Sequence, residues 1–521
     1  MLTLRAEKER AHYVRYTTVT LLALGVIDRA IVIGGFGGRY VSSDDGVIWV
    51  AAMHYGQGIF HGPYYYGQNY GPMLEALIAA PFTRLGIPLW WLMPIVTTVL
   101  GLLPYWSFAL WHQKHGRTAA AACFAALPML MPVEFSMMTT MSRGFITGLA
   151  PLAFLPWILD IRNATMRTLL TGMVVAAAWY INPNSVIFSA AYLCWYVITQ
   201  RPWTKHMLLA ASGLLPAVLA HWYSQEWCEA HPERASHYLD PRTLLFEPVQ
   251  FSAAVSYLDG HFRWLMPLLW PYGSLTVVLL AGMVLLSVRD GRADRTTSLL
   301  VALLLIAYSL GTWKTQDGED WVFFPLSRMF LAMPLLIAWE SALFVQERRL
   351  KTRWAAVIVG LAVICAIQRA ALLDTSIRTQ VTAPYSTVGI DAREYLVDDE
   401  ERLRRICDER GAGLIVPLQA GGGMWPTFRA YLYPAIDQRL PATYLARSDR
   451  QYWQHERIAR SVVPTVLFTG GDAPHWDRIL ARDRRFERLS ATGFDDVHIL
   501  SGNAERTDSL VTWLYTELNK P

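Results

Sequence analysis

Long apolar runs separated by short polar connections dominate the chain from about residue 17 to about residue 373. Leu268–Val288, Ser298–Leu310 and Trp354–Leu373 are the clearest. Runs near 20 residues with few charges match a hydrocarbon core about 30 Å thick. The pattern predicts helices at about 17–36, 89–111, 118–134, 145–160, 168–181, 184–200, 207–223, 267–288, 297–312, 327–345 and 354–373. The fold class expected is a polytopic α-helical membrane protein with about eleven transmembrane helices, several interrupted by proline (Pro128, Pro156, Pro216). PMLEALIAAPFTRL (72–85) is apolar but short and carries Glu75, Pro81 and Arg84. It reads as an amphipathic helix lying in the interface, not as a further span. From about Ala383 the pattern changes. ERLRRICDERGAG (401–413) reads as an amphipathic helix stopped by glycine, and GLIVPL (413–418), TVLFTG (465–470) and DVHILSG (496–502) as short buried strands. DSLVTWLYTEL (508–518) reads as a closing helix, so residues 383–521 are expected to form a small α/β domain after a membrane domain over 1–382.

Composition agrees with this reading. The 521 residues are 53% hydrophobic and 17% charged, against roughly a quarter charged in globular proteins. A formal net charge of +4 is too small to argue for nucleic acid. The distribution of the positive charges says more. After a basic N-terminus (Arg5, Lys8, Arg10, Arg15), clusters recur at alternate connections: HQKHGR (112–117), RNATMR (162–167), RPWTKH (201–206), VRDGRADR (288–295) and QERRLKTR (346–353). Basic short loops favour the cytoplasmic side. The N-terminus is therefore expected inside and the C-terminal domain outside. The first span lacks a small-residue cleavage signal and reads as a retained anchor. The GGFGG that follows is expected to be a flexible exit from the helix, since no strand–turn–helix unit frames it as a phosphate loop. Cys123, Cys194 and Cys365 fall within spans and read as packing residues. Cys228 and Cys407 fall outside, where a disulfide is permitted, and their separation in sequence leaves pairing open.

Three outer connections, 37–88, 224–266 and 311–328, are too long and polar for turns, whereas the inner ones are short and basic. Elaborate loops on one face of a rigid scaffold are where chemistry is expected. The first opens with Asp44 and Asp45. An acidic pair beside apolar surroundings suits general-base work, and it equally suits capping of a helix starting at Gly46, in the helical-looking VIWVAAMHY. Tyr64, Tyr65, Tyr66 and Tyr70 fit an interfacial aromatic belt; His54, Tyr66, Gln68, Tyr70 and Glu75, all in this loop, are the candidate substrate-binding residues. His61, His237 and His261 are also external and, without ligand spacing, read as hydrogen-bonding residues. Arg143 and Arg328 each stand where a span meets the outside, and arginine matches phosphate oxygens in a bidentate way, with snorkelling to headgroups as the plainer alternative. In the C-terminal domain Tyr431, Tyr433, Tyr444, Tyr452 and Trp453 could pack or bind sugar.

A first transmembrane helix followed at once by an acidic pair, a loop with an interfacial helix, many further spans and an outer C-terminal domain resembles the GT-C superfamily of glycosyltransferases. YYYGQNYGPMLEALIAAPF (64–82) is similar to text of a bacterial branch with aminoarabinose-transferase-like and mannosyltransferase-like domains, and SRMFLAMP (327–334) to an R-Y-x-x-x-x-P element late in the bundle, with Met329 in place of the usual aromatic. The resemblance covers roughly residues 15–345. It implies an inverting transferase of the bacterial cytoplasmic membrane. Such an enzyme moves a monosaccharide from a polyprenyl-phosphate donor to a hydroxyl of a glycan, lipid or protein acceptor on the outer face. It implies Asp44, or its neighbour Asp45, as base and Arg143 and Arg328 as donor phosphate ligands. The second acid of many members is missing from SMMTTMSRGFITG, which leaves only Glu134 nearby. Asp44, Asp45 and Glu134 would be the ligands if a divalent ion, Mg or Mn, were used. The WWD-type motif of oligosaccharyltransferases is absent. A transporter or flippase of a lipid-linked sugar is the alternative; such proteins usually show paired repeats, and none relates the two halves here.

Overall fold

In a computed structural model the chain is mostly helical. Residues 2–201, 204–235, 237–268, 272–347, 353–381, 390–418, 439–444, 456–470, 473–489 and 497–518 are described. Among them seven helices are long and apolar enough to cross a membrane: Tyr16–Gly37, Leu89–Lys114, Ala164–Ile181, His206–Ala230, Ala293–Leu310, Leu326–Gln346 and Trp354–Val381. The other four expected spans fall on shorter helices, Thr118–Leu130, Thr147–Ile158, Val186–Gln200 and Leu275–Arg289. Proline accounts for much of the shortening. Pro128 lies inside the first of these, and Pro151 and Pro156 tighten the second into three-residue turns over most of its length.

The chain divides into two compact units, one of Met1–Gly37, Pro94–Ser224 and Leu239–Tyr385, the other of Gly38–Met93, Gln225–Tyr238 and Ser386–Pro521. In the first, helix α1 (Leu2–Val32) continues as a π-helical turn over Ile33–Gly37. The GGFGG text is thus ordered helix, not the flexible exit expected of it. Gly35 serves close packing: a Cβ there would meet Leu373 Cδ2 at 2.8 Å, and Phe36 is fully buried beside Phe323. An aromatic core lies deeper, with Phe108 and Phe124 stacked at 4.8 Å and Trp339 set edge-on to Phe108 at 5.4 Å. Two ion pairs sit inside this unit. Arg369 donates to both carboxylate oxygens of Asp28 at 3.0 Å and to the Pro128 carbonyl at 2.9 Å, and Arg295 Nε donates to Glu340 at 3.0 Å. All four side chains are buried. Charges in lipid surroundings are costly unless paired inward, and these are.

In the second unit β1 (Tyr40–Ser42) pairs antiparallel with β2 (Ile390–Ala392), Val41 opposite Asp391. Helix α2 (Ser43–Gly56) follows β1 directly, and α3 (Leu74–Thr83) realises the short apolar helix read from 72–85. The remaining strands, β3 (Leu414–Pro417), β4 (Ala442–Thr443), β5 (Thr465–Thr469), β6 (Phe486–Leu489) and β7 (Val497–Ser501), form one sheet in the order β4-β3-β5-β7-β6. Its β3 runs parallel to β4 and β5, and β7 antiparallel to β5 and β6. Leu414, Val416, Val466 and Phe468 bury against Trp476 of helix Ala473–Arg482 and Leu510 and Leu514 of helix Thr507–Leu518. Tyr444 packs on this core; Tyr431, Tyr433, Tyr452 and Trp453 lie outside the described residues. All five cysteines are free thiols, Cys228 and Cys407 included.

Candidate active site

The acidic loop is built from its cap outward. Ser42 ends β1 in extended conformation and caps α2. Its Oγ accepts from the Asp45 amide at 3.3 Å and donates to Asp45 Oδ2 at 2.6 Å, while its own amide donates to the same oxygen at 3.1 Å. This is a reciprocal capping box. It corrects the expected helix start at Gly46: the helix begins at Ser43, because serine followed three residues later by a carboxylate satisfies the first amides. Asp45 is consequently 3% exposed and committed to the helix end, while Asp44 is half-buried. Tyr65 Oη donates to the Asp44 carbonyl at 3.2 Å, tying the tyrosine run back to this point.

The rest of the loop is pinned by the segment 225–238. Gln225 Nε2 donates to the Asn69 carbonyl at 2.8 Å and to Tyr64 Oη at 3.4 Å, and Asn69 Nδ2 donates to Gln225 Oε1 at 3.1 Å. Gln68 bridges to His237, whose amide donates to the Gly67 carbonyl at 2.9 Å, and the Tyr70 ring lies 6.3 Å from the His237 ring. His54, His61 and Tyr66 form a second cluster. Tyr66 Oη is 3.4 Å from His54 Nδ1, and the two imidazoles meet edge-on at 4.9 Å. Burial, with the cation of Arg234 adding to it, holds His61 down at about 4. Glu75, in the first turn of α3, is fully buried. The structure thus gathers Asp44, Asp45, His54, Tyr66, Gln68, Tyr70 and Glu75 in one unit.

The two expected phosphate ligands are in the helical unit and come together around one ring. The Arg143 guanidinium lies 5.2 Å from the Phe145 centroid and 5.3 Å from that of Phe324; Arg328 lies 4.0 Å from Phe324. Both are buried. Arg328 stands on a 3₁₀ turn (Leu326–Phe330), where its Nη1 donates to the Pro325 carbonyl at 3.0 Å and its Nη2 to that of Lys314 at 3.4 Å. Asp317 Oδ2 is 3.8 Å away on an exposed side chain. Glycine at 318 leaves room for Arg328 Nη1, since a Cβ there would crowd the guanidinium and push it aside. A cation over an aromatic face is attracted by the ring quadrupole, which helps to hold both guanidinium groups beside Phe324.

Glu134 belongs to the helical unit, where its Oε1 accepts from Ser376 Oγ at 2.6 Å. Among the described residues no group of three or more His, Cys, Asp and Glu side chains could hold a metal ion. Asp44, Asp45 and Glu134 are not assembled as such a set, and Asp45 is occupied by its cap. The sequence reading passed over Asp28, Arg29, Glu340 and Arg369, although a charged residue inside an apolar span is itself a signal. Arg29 Nη1 donates to Thr139 Oγ1 at 2.7 Å, in the segment that leads to Arg143.

No family model matches the chain, and no curated protein matches it. Among solved structures it is similar to ArnT from Cupriavidus metallidurans bound to undecaprenyl phosphate, at 12% identity and a TM-score of 0.48, over 94% of this chain and 99% of that one.

Proposed function

We propose that the protein is an inverting glycosyltransferase that takes a monosaccharide from a polyprenyl-phosphate donor and gives it to an acceptor hydroxyl on the outer face of the bacterial cytoplasmic membrane. The observation that carries this reading is the convergence of Arg143 and Arg328 on Phe324, two buried cations in a unit rich in membrane-length helices. Bidentate guanidinium groups suit the oxygens of a phosphate whose charge grows as it leaves.

In the reaction the acceptor oxygen attacks the anomeric carbon from the face opposite the phosphate. The new C–O bond forms as the old C–O(phosphate) bond breaks, its electron pair leaving with the polyprenyl phosphate, and configuration inverts. The acceptor proton goes to a carboxylate. Asp44 is the better base, because Asp45 Oδ2 already accepts two hydrogen bonds at the helix cap and is engaged there. His54, Tyr66, Gln68 and Tyr70 supply polar and aromatic contacts for a sugar. A divalent ion, if one is bound, would assist the leaving phosphate; no step above needs one.

The test is mass spectrometry of lipid that co-purifies with the protein. A polyprenyl monophosphate carrying one sugar is expected with the wild type and lost in Arg143→Ala and Arg328→Ala. Equal recovery from the variants would remove the arginines from the site. Asp44→Asn is expected to keep the lipid and lose transfer. Asp45→Asn is expected to cost about 1 kcal/mol of stability as a weakened cap. Full transfer by Asp44→Asn would end its assignment. Movement of the lipid-linked sugar across vesicles with no acceptor product would favour the flippase.

A further inference from the structure

The helices Ala164–Ile181 and Val186–Gln200 are joined by a turn, Asn182-Pro183-Asn184-Ser185. Asn182 needs only its Oδ1 to do the local work of that turn, accepting from the Asn184 amide at 2.9 Å. Its Nδ2 is turned elsewhere: it donates to the Gly144 carbonyl at 2.7 Å and reaches the Phe145 carbonyl at 3.5 Å. Asn184 Nδ2 donates to the Arg328 carbonyl at 3.0 Å. Two carboxamides from one turn therefore hold two distant stretches of backbone. One stretch follows Arg143 directly and the other carries Arg328.

Local geometry makes this grip rigid. Pro183 sits between the two asparagines and fixes its own φ. The neighbouring chain is seated flush against Asn182, because a Cβ on Gly148 would lie 2.7 Å from both Asn182 Cβ and the Asn182 carbonyl oxygen. Gly144 has φ +71, a conformation suited to glycine, which turns its carbonyl into reach directly after Arg143.

We propose that Asn182 and Asn184 are positioning residues that set the spacing of the Arg143 and Arg328 guanidinium groups for one donor phosphate. This rests on the phosphate reading given above. Long arginine side chains adopt many rotamers, so anchoring the backbone at each root narrows the pair to a geometry a phosphate can meet without rearrangement. The residues act through the arginines and touch neither sugar nor acceptor. Their effect is therefore on donor affinity and KM, with kcat kept.

The experiment measures undecaprenyl phosphate binding to the full-length protein in detergent, with the melting temperature followed alongside. Asn182→Ala and Asn184→Ala are each expected to weaken binding about fivefold, the loss of one hydrogen bond. Asn184→Asp, which keeps the shape and removes the donor, should match Asn184→Ala and serves if the alanine variant misfolds. In an Arg328→Ala background Asn184→Ala should add nothing, because the residue acts only through that arginine. A fivefold loss in both backgrounds, or unchanged binding in a folded Asn184 variant, overturns the proposal. If Arg328→Ala itself binds like wild type, the phosphate reading falls first; if it binds weakly while Asn184→Ala does not, only the positioning role is lost.

Discussion

The helical unit uses arginine in two ways, and the contrast tells them apart. In its interior Arg369 and Arg295 meet carboxylates at hydrogen-bond distance, 3.0 Å in each case. At Phe324 the Arg328 guanidinium rests on a ring and on backbone carbonyls, with Asp317 Oδ2 3.8 Å away on an exposed side chain. The first arrangement is a buried ion pair between helices; the second seats the guanidinium on a ring face and backbone carbonyls. Burial alone does not separate the two, since Arg328 is 3% exposed and Arg369 1%. The identity of the partner does.

Removing an interior charge should have the largest effect. Arg369→Leu removes both hydrogen bonds to the buried Asp28 carboxylate and leaves only the neighbouring Arg29 charge, so about 3 kcal/mol of stability should be lost. Thermal unfolding should show the drop, and adding Asp28→Leu should restore most of it. A variant that melts like wild type would show that the interior pair is not structural. A smaller effect tests the other arginine. Gly318→Ala forces Arg328 off its seat, and binding of undecaprenyl phosphate should weaken about tenfold, within the range for a hydrogen bond to a charged group, with little change in melting. A large fall in melting temperature with unchanged binding would place Arg328 among the structural arginines.

The smallest effect concerns His61, which is buried near the cation of Arg234 within the second unit. Above pH 6.5 the imidazole is neutral folded and unfolded, so it costs nothing. As pH falls from 6.5 to about 4 the unfolded chain takes up a proton that the folded chain refuses, and stability declines until both are protonated. Solvent screening keeps this to about 1 kcal/mol or less. His61→Gln should therefore melt with a smaller drop between pH 7 and pH 4.5 than wild type, and an identical drop would assign the acid sensitivity elsewhere.

The membrane helices were legible because apolar length is a strong signal, and each predicted span coincides with a helix. Their lengths were less so, since proline and short-range turns shorten Thr118–Leu130 and Thr147–Ile158 without altering their hydrophobicity. Of the strands, β3, β5 and β7 read as apolar runs, whereas β1, β2 and β4 are two or three residues long and carry no alternation to detect. The arginines at Phe324 could be picked out one at a time, by position at the end of a span. Their convergence could not, because it depends on a turn at Asn182–Ser185 that looks like an ordinary helix connection. The cap at Ser42 was missed for a simpler reason: two conspicuous aspartates drew the helix start away from the serine before them.

The pairing of β1 with β2 has a consequence for biosynthesis. The strand that leads into Asp44 leaves the ribosome early, yet its partner is made about 350 residues later, a delay on the order of tens of seconds at typical synthesis rates. Until then the acidic helix has its serine cap but no strand to anchor its root. A chain stopped before Ile390 would carry all seven membrane-length helices found among the described residues and still lack the partner of β1, so the acidic loop is completed only once the last domain has been made.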